Sequence, residues 1–176
     1  KDIPALQLMT EAVHEHGALA AIELTHSGHN STNLFSRIPA MSPNAQAVNF
    51  LYPKQARRMN KKDISDFRAW HRQAALNAKA AGFDIVYVYA GHGMSVAQQF
   101  ILPDMNNRSD EYGGSLENRL RLTRELLEET RDAIGDSCGI AFRFAVDELK
   151  GKDGMQFQEE GRAVVEMLAE YPDLWD

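Results

Sequence analysis

Hydrophobic residues along the chain occur in two patterns, which alternate from one end to the other. Stretches with apolar residues at helical spacing are each followed by a short, almost continuous apolar run typical of a buried strand. The pattern predicts four helix–strand pairs in succession: Ile3–Glu15 with Ala18–Thr25, Asp63–Ala81 with Asp84–Tyr89, Ser115–Ile134 with Gly139–Val146, and Glu159–Tyr171 with Leu174–Asp176.

This alternation predicts an α/β fold with parallel strands. The favoured architecture is a partial (β/α)8 TIM barrel, a fragment with about half of the strands, because a complete barrel takes about 250 residues. An open, doubly wound sheet is the alternative, and the lack of a Gly-rich phosphate fingerprint after the first strand counts against it. We therefore expect residues 1–176 to form the middle part of one barrel domain, incomplete at both ends.

Composition narrows the function classes. The 176 residues are 44% hydrophobic and 25% charged with a net charge of −6, which suits a globular enzyme and argues against nucleic acid or an anionic membrane surface as a partner. No signal peptide or membrane-spanning run is visible, so we expect a cytoplasmic protein. The single Cys138, predicted at the buried start of a strand, excludes an internal disulfide or an all-cysteine cluster within this segment.

Two predicted strands each contain one charged residue. Glu23 lies between Ile22 and Leu24, and Arg143 lies within the run Gly139–Val146. A charge in such a place is costly unless it is hydrogen-bonded or paired. Either these side chains bind a ligand, or Arg143 forms a structural ion pair with Glu23 or Asp147.

Candidate chemistry also follows the strand Asp84–Tyr89. Tyr89 and His92 come at its carboxyl end, where parallel α/β folds place their ligands, and can point into one cavity. The alternative is a Tyr–His pair packed under a loop. The long segment His26 to Met59, rich in Ser, Asn and Pro, is predicted to be a functional loop. Its His26 and His29 lack a third ligand, so we predict loop packing and no metal site.

The run NNRSDEYGGSLENR, Asn106 to Arg119, supplies the most specific motif. Gly113 and Gly114 allow a tight turn, and Ser115 can cap the following helix with Glu117 in its first turn. The run resembles the Old Yellow Enzyme superfamily signature N-x-R-x-D-x-Y-G-G-S-x-x-N-R, which leads into a helix of a flavin-binding barrel.

This resemblance implies that the barrel binds FMN and gives several residues a role. Glu23 is expected to contact the pyrimidine edge of the flavin, Arg143 to lie against N1 and the C2 carbonyl, and His26 to lie near the cofactor. Within the signature, we expect Arg108, Asp110 and Arg119 to hold the loop in shape rather than touch substrate.

The resemblance is closest to the amine-oxidising branch, which contains the trimethylamine, dimethylamine and histamine dehydrogenases and N-methylproline demethylase. It rests on the runs HGALAAIELTHSGHNS, AGFDIVYVYAGH, FRFAVDELKGKDG and PDLWD. It implies hydride-equivalent transfer from a small N-methylated amine to flavin, giving an iminium that hydrolyses to an aldehyde and the dealkylated amine. Tyr89 and His92 would be the catalytic pair.

Two other functions remain open. An NAD(P)H-dependent ene-reductase is the first, but that branch usually has His in place of Tyr89. A non-catalytic barrel fragment is the second; a colourless full-length preparation that FMN cannot reconstitute would favour it. An Asp that completes the catalytic constellation in relatives is expected beyond Asp176, so the role goes neither to Asp176 nor to Asp173. An iron–sulfur cluster, if present in the full-length protein, would lie outside this chain, and we expect the full-length protein to be a homo-oligomer. An isolated half barrel would expose two unpaired strand edges, which favour association or aggregation.

Overall fold

The computed structural model describes residues 2–31, 38–48 and 54–176, which form an α/β fold. The predicted helices and strands are present, most with narrower bounds, together with elements that were not predicted. In chain order the elements are α1 (Ile3–His14), β1 (Ala21–Leu24), β2 (Met41–Ser42), β3 (Gln46–Val48), β4 (Lys54–Arg58), α2 (Lys61–Ala80), β5 (Ile85–Ala90), α3 (Val96–Ile101), α4 (Leu116–Ile134), β6 (Gly139–Phe144), α5 (Arg162–Leu168) and β7 (Leu174–Trp175).

The main sheet is parallel throughout the described residues, with the strands in the order β1–β5–β6–β7. Ala21 of β1 pairs with Ile85 of β5, which in turn pairs with Gly139 of β6. Each strand is therefore added beside the one that precedes it in the sheet, with a helix in every connection. This is the order that a barrel requires.

The two faces of this sheet differ. One face is covered by the helices, and its residues belong to a single core with α2, α4 and α5: Val86, Val88, Ala90, Ile140, Phe142 and Phe144. A doubly wound sheet would carry helices on both faces. The other face presents Glu23, Tyr87, Tyr89 and Arg143, because side chains alternate along each strand and Glu23 is level with Tyr87 and Tyr89 with Arg143.

Helix α2 begins earlier than predicted. Its N-cap is Asn60, whose side chain accepts a hydrogen bond from the Asp63 N–H at 2.9 Å, while the Asp63 carboxylate accepts one from the Asn60 N–H at 2.8 Å. Asp63, where the sequence pattern predicts the helix to begin, is therefore the third helical residue of a capping box. The buried face includes His71 and Ala75, and the neighbouring Ala74 is half-buried.

Helix α4 follows the prediction closely. The Ser115 side chain accepts a hydrogen bond from the Asn118 N–H at 3.3 Å, Glu117 lies in the first turn, and the helix ends at Gly135 with a φ of +62°. No helix in the described ranges, including the long α2 and α4, is long and apolar enough to cross a membrane.

The predicted loop His26–Met59 contains a second sheet, so its prediction as an irregular segment was wrong. In the part that the structure describes, β4 pairs in parallel with β2 and antiparallel with β3. The Arg57 guanidinium then joins this sheet to α2 through hydrogen bonds of 2.6 and 2.7 Å to Asp63. Residues 32–37 and 49–53 of the segment lie outside the described residues.

Helix α3 was not predicted. It has six residues, all of them buried, and the Ser95 side chain caps it by accepting from the Gln98 N–H. Cys138, in contrast, is where the sequence predicts it: buried, immediately before β6, with its Sγ 3.2 Å from the Phe83 carbonyl oxygen.

Candidate active site

Tyr89 and His92 meet at the carboxyl end of β5. The Tyr89 hydroxyl is hydrogen-bonded to Nδ1 of His92, and the ring centroids are 5.9 Å apart. Tyr89 is only 8% exposed, whereas His92 is exposed and turns back from the loop after the strand. The predicted proximity of the two side chains is therefore confirmed, and their catalytic role stays a prediction.

The electrostatic surroundings keep the Tyr89 phenol protonated. Burial raises the pKa of Tyr89, the nearby charge of Glu23 raises it further, and the positive charge of Arg143 offsets part of the rise. The Arg143 guanidinium lies 5.8 Å from the centre of the Tyr89 ring. The protonated hydroxyl of Tyr89 can therefore donate a hydrogen bond to Nδ1 of His92.

Glu23 and Arg143 form an ion pair on the same face of the sheet. Nη1 of Arg143 lies 3.2 Å from Oε2 of Glu23, and Nε lies 3.5 Å from a carboxylate oxygen of Asp176. The hydrogen bond to Glu23 raises the pKa of Arg143 above its usual value. The two residues do not lie on adjacent strands, because β5 separates β1 from β6 and Arg143 reaches across it.

The Glu23–Arg143 ion pair is partly exposed to solvent and is not buried in the core. The Glu23 side chain is 34% exposed and that of Arg143 is 44% exposed, on the face that the helices leave open. The sequence predicts either Glu23 or Asp147 as the ion-pair partner of Arg143, and in the structure the partner is Glu23. Contact with each other does not exclude contact with a ligand, since both side chains retain open surface.

His26 lies apart from the Tyr89–His92 pair. Its Nδ1 accepts a hydrogen bond from the Gly28 N–H at 3.0 Å, and its ring packs edge-on against Phe67 of α2 at 5.7 Å. Burial lowers the pKa of His26, and a backbone hydrogen bond offsets part of that shift. His26 shares a cavity with Glu23, so a place beside the flavin remains a prediction.

The signature loop is held together by its own charged residues, as predicted. Arg108 is buried, binds both carboxylate oxygens of Asp110 at 3.0 and 2.5 Å, and donates to the carbonyl oxygens of Met59 and Pro43. A Cβ on Gly113 would lie 2.2 Å from the Arg108 carbonyl oxygen, so only glycine fits there. The contacts with Met59 and Pro43 fasten the loop to the segment that carries the second sheet.

Arg119 forms the second anchor of the loop. It is 3% exposed, donates to the Ile101 carbonyl oxygen at 2.9 Å, and pairs with Glu160. These contacts join the end of α3 to α4 and to the turn before α5. Arg108, Asp110 and Arg119 thus hold this segment in shape as expected, and the expectation that they do not touch substrate stays a prediction.

A cavity of about 510 Å³ opens beside His92 at the carboxyl ends of β5 and β6. The loop after β6 supplies one wall with Asp147, Glu148 and Lys150. Hydrogen bonds from the N–H groups of Leu149 and Phe157 lower the pKa of Asp147. The Asp147 carboxylate therefore stays ionised at neutral pH beside the cavity.

Comparison with known proteins shows to which family the chain belongs. The family model described as NADH:flavin oxidoreductase / NADH oxidase matches residues 1–176. The chain belongs to this family. The predicted relationship to the flavin-dependent Old Yellow Enzyme superfamily is thereby confirmed at the level of the family.

Similar proteins within the family include amine-oxidising enzymes. Dimethylamine dehydrogenase from Hyphomicrobium sp. (strain x) is 34% identical over 187 residues, covering 99% of this chain and 24% of the relative. NADH oxidase from Thermoanaerobacter brockii is 32% identical, covering 92% of this chain and 24% of the relative. The chain thus spans about a quarter of the length of these relatives.

Solved structures agree. The 6-hydroxypseudooxynicotine amine oxidase from Pseudomonas geniculata N1 superposes with a TM-score of 0.93 at 47% identity, covering 99% of this chain and 26% of that one. Histamine dehydrogenase from Rhizobium sp. 4-9 gives 0.93 at 44%, with the same coverage. An Old Yellow Enzyme homologue from Zymomonas mobilis gives 0.81 at 27%, covering 96% and 50%. The partial (β/α)8 barrel is confirmed.

The side chains present fit a flavin. Its pyrimidine edge combines N–H groups with carbonyl oxygens, and the open face of the sheet offers a carboxylate acceptor on Glu23 and a guanidinium donor on Arg143. Both retain exposed surface on the face that the helices leave uncovered. The acceptor on Glu23 and the donor on Arg143 are therefore complementary to the N–H groups and carbonyl oxygens of the flavin's pyrimidine edge.

Proposed function

We propose that the protein carrying this chain is an FMN-dependent enzyme that oxidises a small N-methylated amine to an iminium, which hydrolyses to an aldehyde and the dealkylated amine. Residues 1–176 would be the middle part of its FMN-binding barrel. The observation that carries the proposal is the Tyr89–His92 hydrogen bond at the carboxyl end of β5, with Arg143 over the Tyr89 ring.

FMN, when bound, supplies the acceptor for the two electrons that leave the amine. Glu23 would hold the ring by accepting its N–H groups. Arg143 would stabilise the negative charge that collects at N1 and the C2 carbonyl upon reduction. Their mutual ion pair supports this role, because each charge is already compensated before the ring binds.

Tyr89 and His92 would manage the proton of the substrate. An amine must expose a free lone pair before it can be oxidised, although most alkylamines are protonated at neutral pH. The Tyr89 hydroxyl can contact the amine nitrogen while Nδ1 of His92 holds the phenolic proton. The ionised Asp147 and the neighbouring Glu148 favour entry of a cationic amine, although Lys150 pairs with Glu148 at 2.6 Å.

Reduction of an enone with NAD(P)H is the second candidate. It is favoured by relatives such as the NADPH dehydrogenase of Halalkalibacterium halodurans, which is 39% identical over 127 residues and is covered over 36% of its length. A phenol at position 89 favours the amine instead, because it offers an aromatic face to a cation. The named amine dehydrogenases also match over more of the chain.

Anaerobic mixing of the full-length flavoprotein separates these candidates. We expect N-methylated amines to bleach the flavin absorbance faster than NADPH does. Bleaching by NADPH alone, followed by recovery of the absorbance with an enone, would replace the amine proposal by the ene-reductase. The homo-oligomer, the cytoplasmic location and an iron–sulfur cluster outside this chain stay predictions from the sequence.

A further inference from the structure

His92 occupies a backbone conformation that L-residues rarely adopt. Its φ is +59°, that of Gly93 is +64°, and the Met94 N–H donates to the Gly91 carbonyl oxygen at 3.2 Å. Positive φ at both central residues is the pattern of a type I′ turn. A non-glycine residue persists in this region only where its surroundings impose it.

Two glutamines of α3 surround this turn. Gln98 and Gln99 are both fully buried. Oε1 of Gln98 accepts a hydrogen bond from the Gly93 N–H, and Nε2 of Gln99 donates to the Gly93 carbonyl oxygen at 3.3 Å. The peptide groups on both sides of Gly93 are therefore held by side chains of one short helix.

Gln99 also reaches the loop after β1. Its Oε1 accepts from the His29 N–H at 3.2 Å, and its Nε2 lies 3.5 Å from the Ser27 carbonyl oxygen. A Cβ on Gly28 would lie 2.1 Å from Oε1 of Gln99, so the backbone approaches the amide as closely as glycine allows. The turn of His92 is thus fixed relative to the neighbouring strand as well.

The contribution of Gln98 to stability does not explain why a glutamine is buried at this position. The Gly93 N–H requires an oxygen acceptor, which fixes the amide orientation and leaves Nε2 buried without a hydrogen-bond partner in the described part of the chain. An unpaired buried donor destabilises the fold, and an apolar side chain of similar shape would avoid that cost. Residues that break this rule are expected where function requires them.

We propose that Gln98 and Gln99 are positioning residues for the Tyr89–His92 pair. By holding both peptide groups of Gly93 they keep His92 in the left-handed conformation that brings Nδ1 to the Tyr89 hydroxyl. The effect on rate rests on the proposed function of that pair. The effect on the turn does not.

The test uses Gln98→Met in the full-length flavoprotein, alone and combined with His92→Gln. Methionine keeps the shape and removes the acceptor. We expect unchanged flavin content and melting temperature, and amine-driven flavin reduction slower by about 10- to 100-fold, the range expected when a catalytic group is misplaced. In the His92→Gln background the same change should slow reduction by less than about 2-fold, because coupled residues are not additive. Equal slowing in both backgrounds would overturn the proposal.

A crystal structure of the Gln98→Met flavoprotein decides the geometry without any substrate. Loss of the positive φ at His92 and of its contact with Tyr89 is expected, and an unchanged turn overturns the proposal. If His92→Gln reduces at the wild-type rate, the proposed function of the pair is wrong, and this crystal structure alone decides the positioning role. If Gln98→Met does not fold, Gln99→Met is measured in the same way, since it releases the carbonyl side of Gly93. Gln73→Met, on the exposed side of α2, is the control.

Discussion

Asp110→Asn should destabilise the fold through the signature loop. Burial by itself would raise the pKa of Asp110, but the hydrogen bonds from Arg108 and the Tyr112 N–H, with the charges of Arg108 and Lys61, outweigh it and lower the pKa from 3.8 to about 2. At about 1.36 kcal/mol per pKa unit, these contacts contribute about 2 kcal/mol. Removing one partner of a fully buried pair costs about 3–5 kcal/mol. Because the Asp110 side chain is 26% exposed, we expect Asp110→Asn to lower the free energy of unfolding by only about 2 kcal/mol.

The assay is urea unfolding of the full-length flavoprotein, followed by intrinsic fluorescence at several pH values. Because the folded-state pKa of Asp110 is depressed, its contribution is fully present above about pH 4 and is lost as the pH falls towards 2. The gap between wild type and Asp110→Asn should therefore be constant from pH 7 to pH 5 and shrink below pH 4. Glu111→Gln is the matched control, since Glu111 is exposed and its partner is the exposed Lys61. Equal losses in both variants, or a gap independent of pH, would refute this account.

Two further predictions concern the flavin and the phenol. Arg143→Met should lower the reduction potential of the flavin and weaken FMN binding, measured by redox titration and by fluorescence on FMN release; Arg131→Met, which removes a similarly exposed guanidinium paired with Asp173, should change neither. Unchanged values for Arg143→Met would reduce Arg143 to a structural ion pair. Tyr89→Phe should slow amine-driven flavin reduction by about 10²-fold with the flavin still bound, and a wild-type rate in stopped flow would exclude the hydroxyl from the chemistry.

The parallel strands and their helices could be predicted because each has a strong local signal. Apolar runs predict β1, β5 and β6, and the Gly113–Gly114 turn with the Ser115 cap predicts the start of α4. The contact between Tyr89 and His92 follows from their spacing at a strand end. Such local preferences predict the folded structure correctly because they agree with the tertiary packing.

Other features had no such signal. Helix α3 is buried on every side, so it lacks the polar face that reveals a helix, and β4 is the charged run Lys54–Arg58, which does not alternate. The sequence offers Glu23 and Asp147 as partners for Arg143, but the choice of Glu23 depends on strand order. The hydrogen bond between Gln98 and Gly93 depends on a turn with positive φ. These features arise from tertiary packing and cannot be read from neighbouring residues alone.

In the proposed mechanism, His92 and Tyr89 control the proton of an amine being oxidised. The most direct measurement is the rate of flavin reduction by a saturating N-methylated amine, in anaerobic stopped flow across pH 6 to 10, for wild type and His92→Gln. Nδ1 of His92 is the group placed to hold the phenolic proton, so the wild-type rate should rise with pH in a step that is absent in His92→Gln, which should keep its flavin. The same rate and the same pH profile in both proteins would contradict the account.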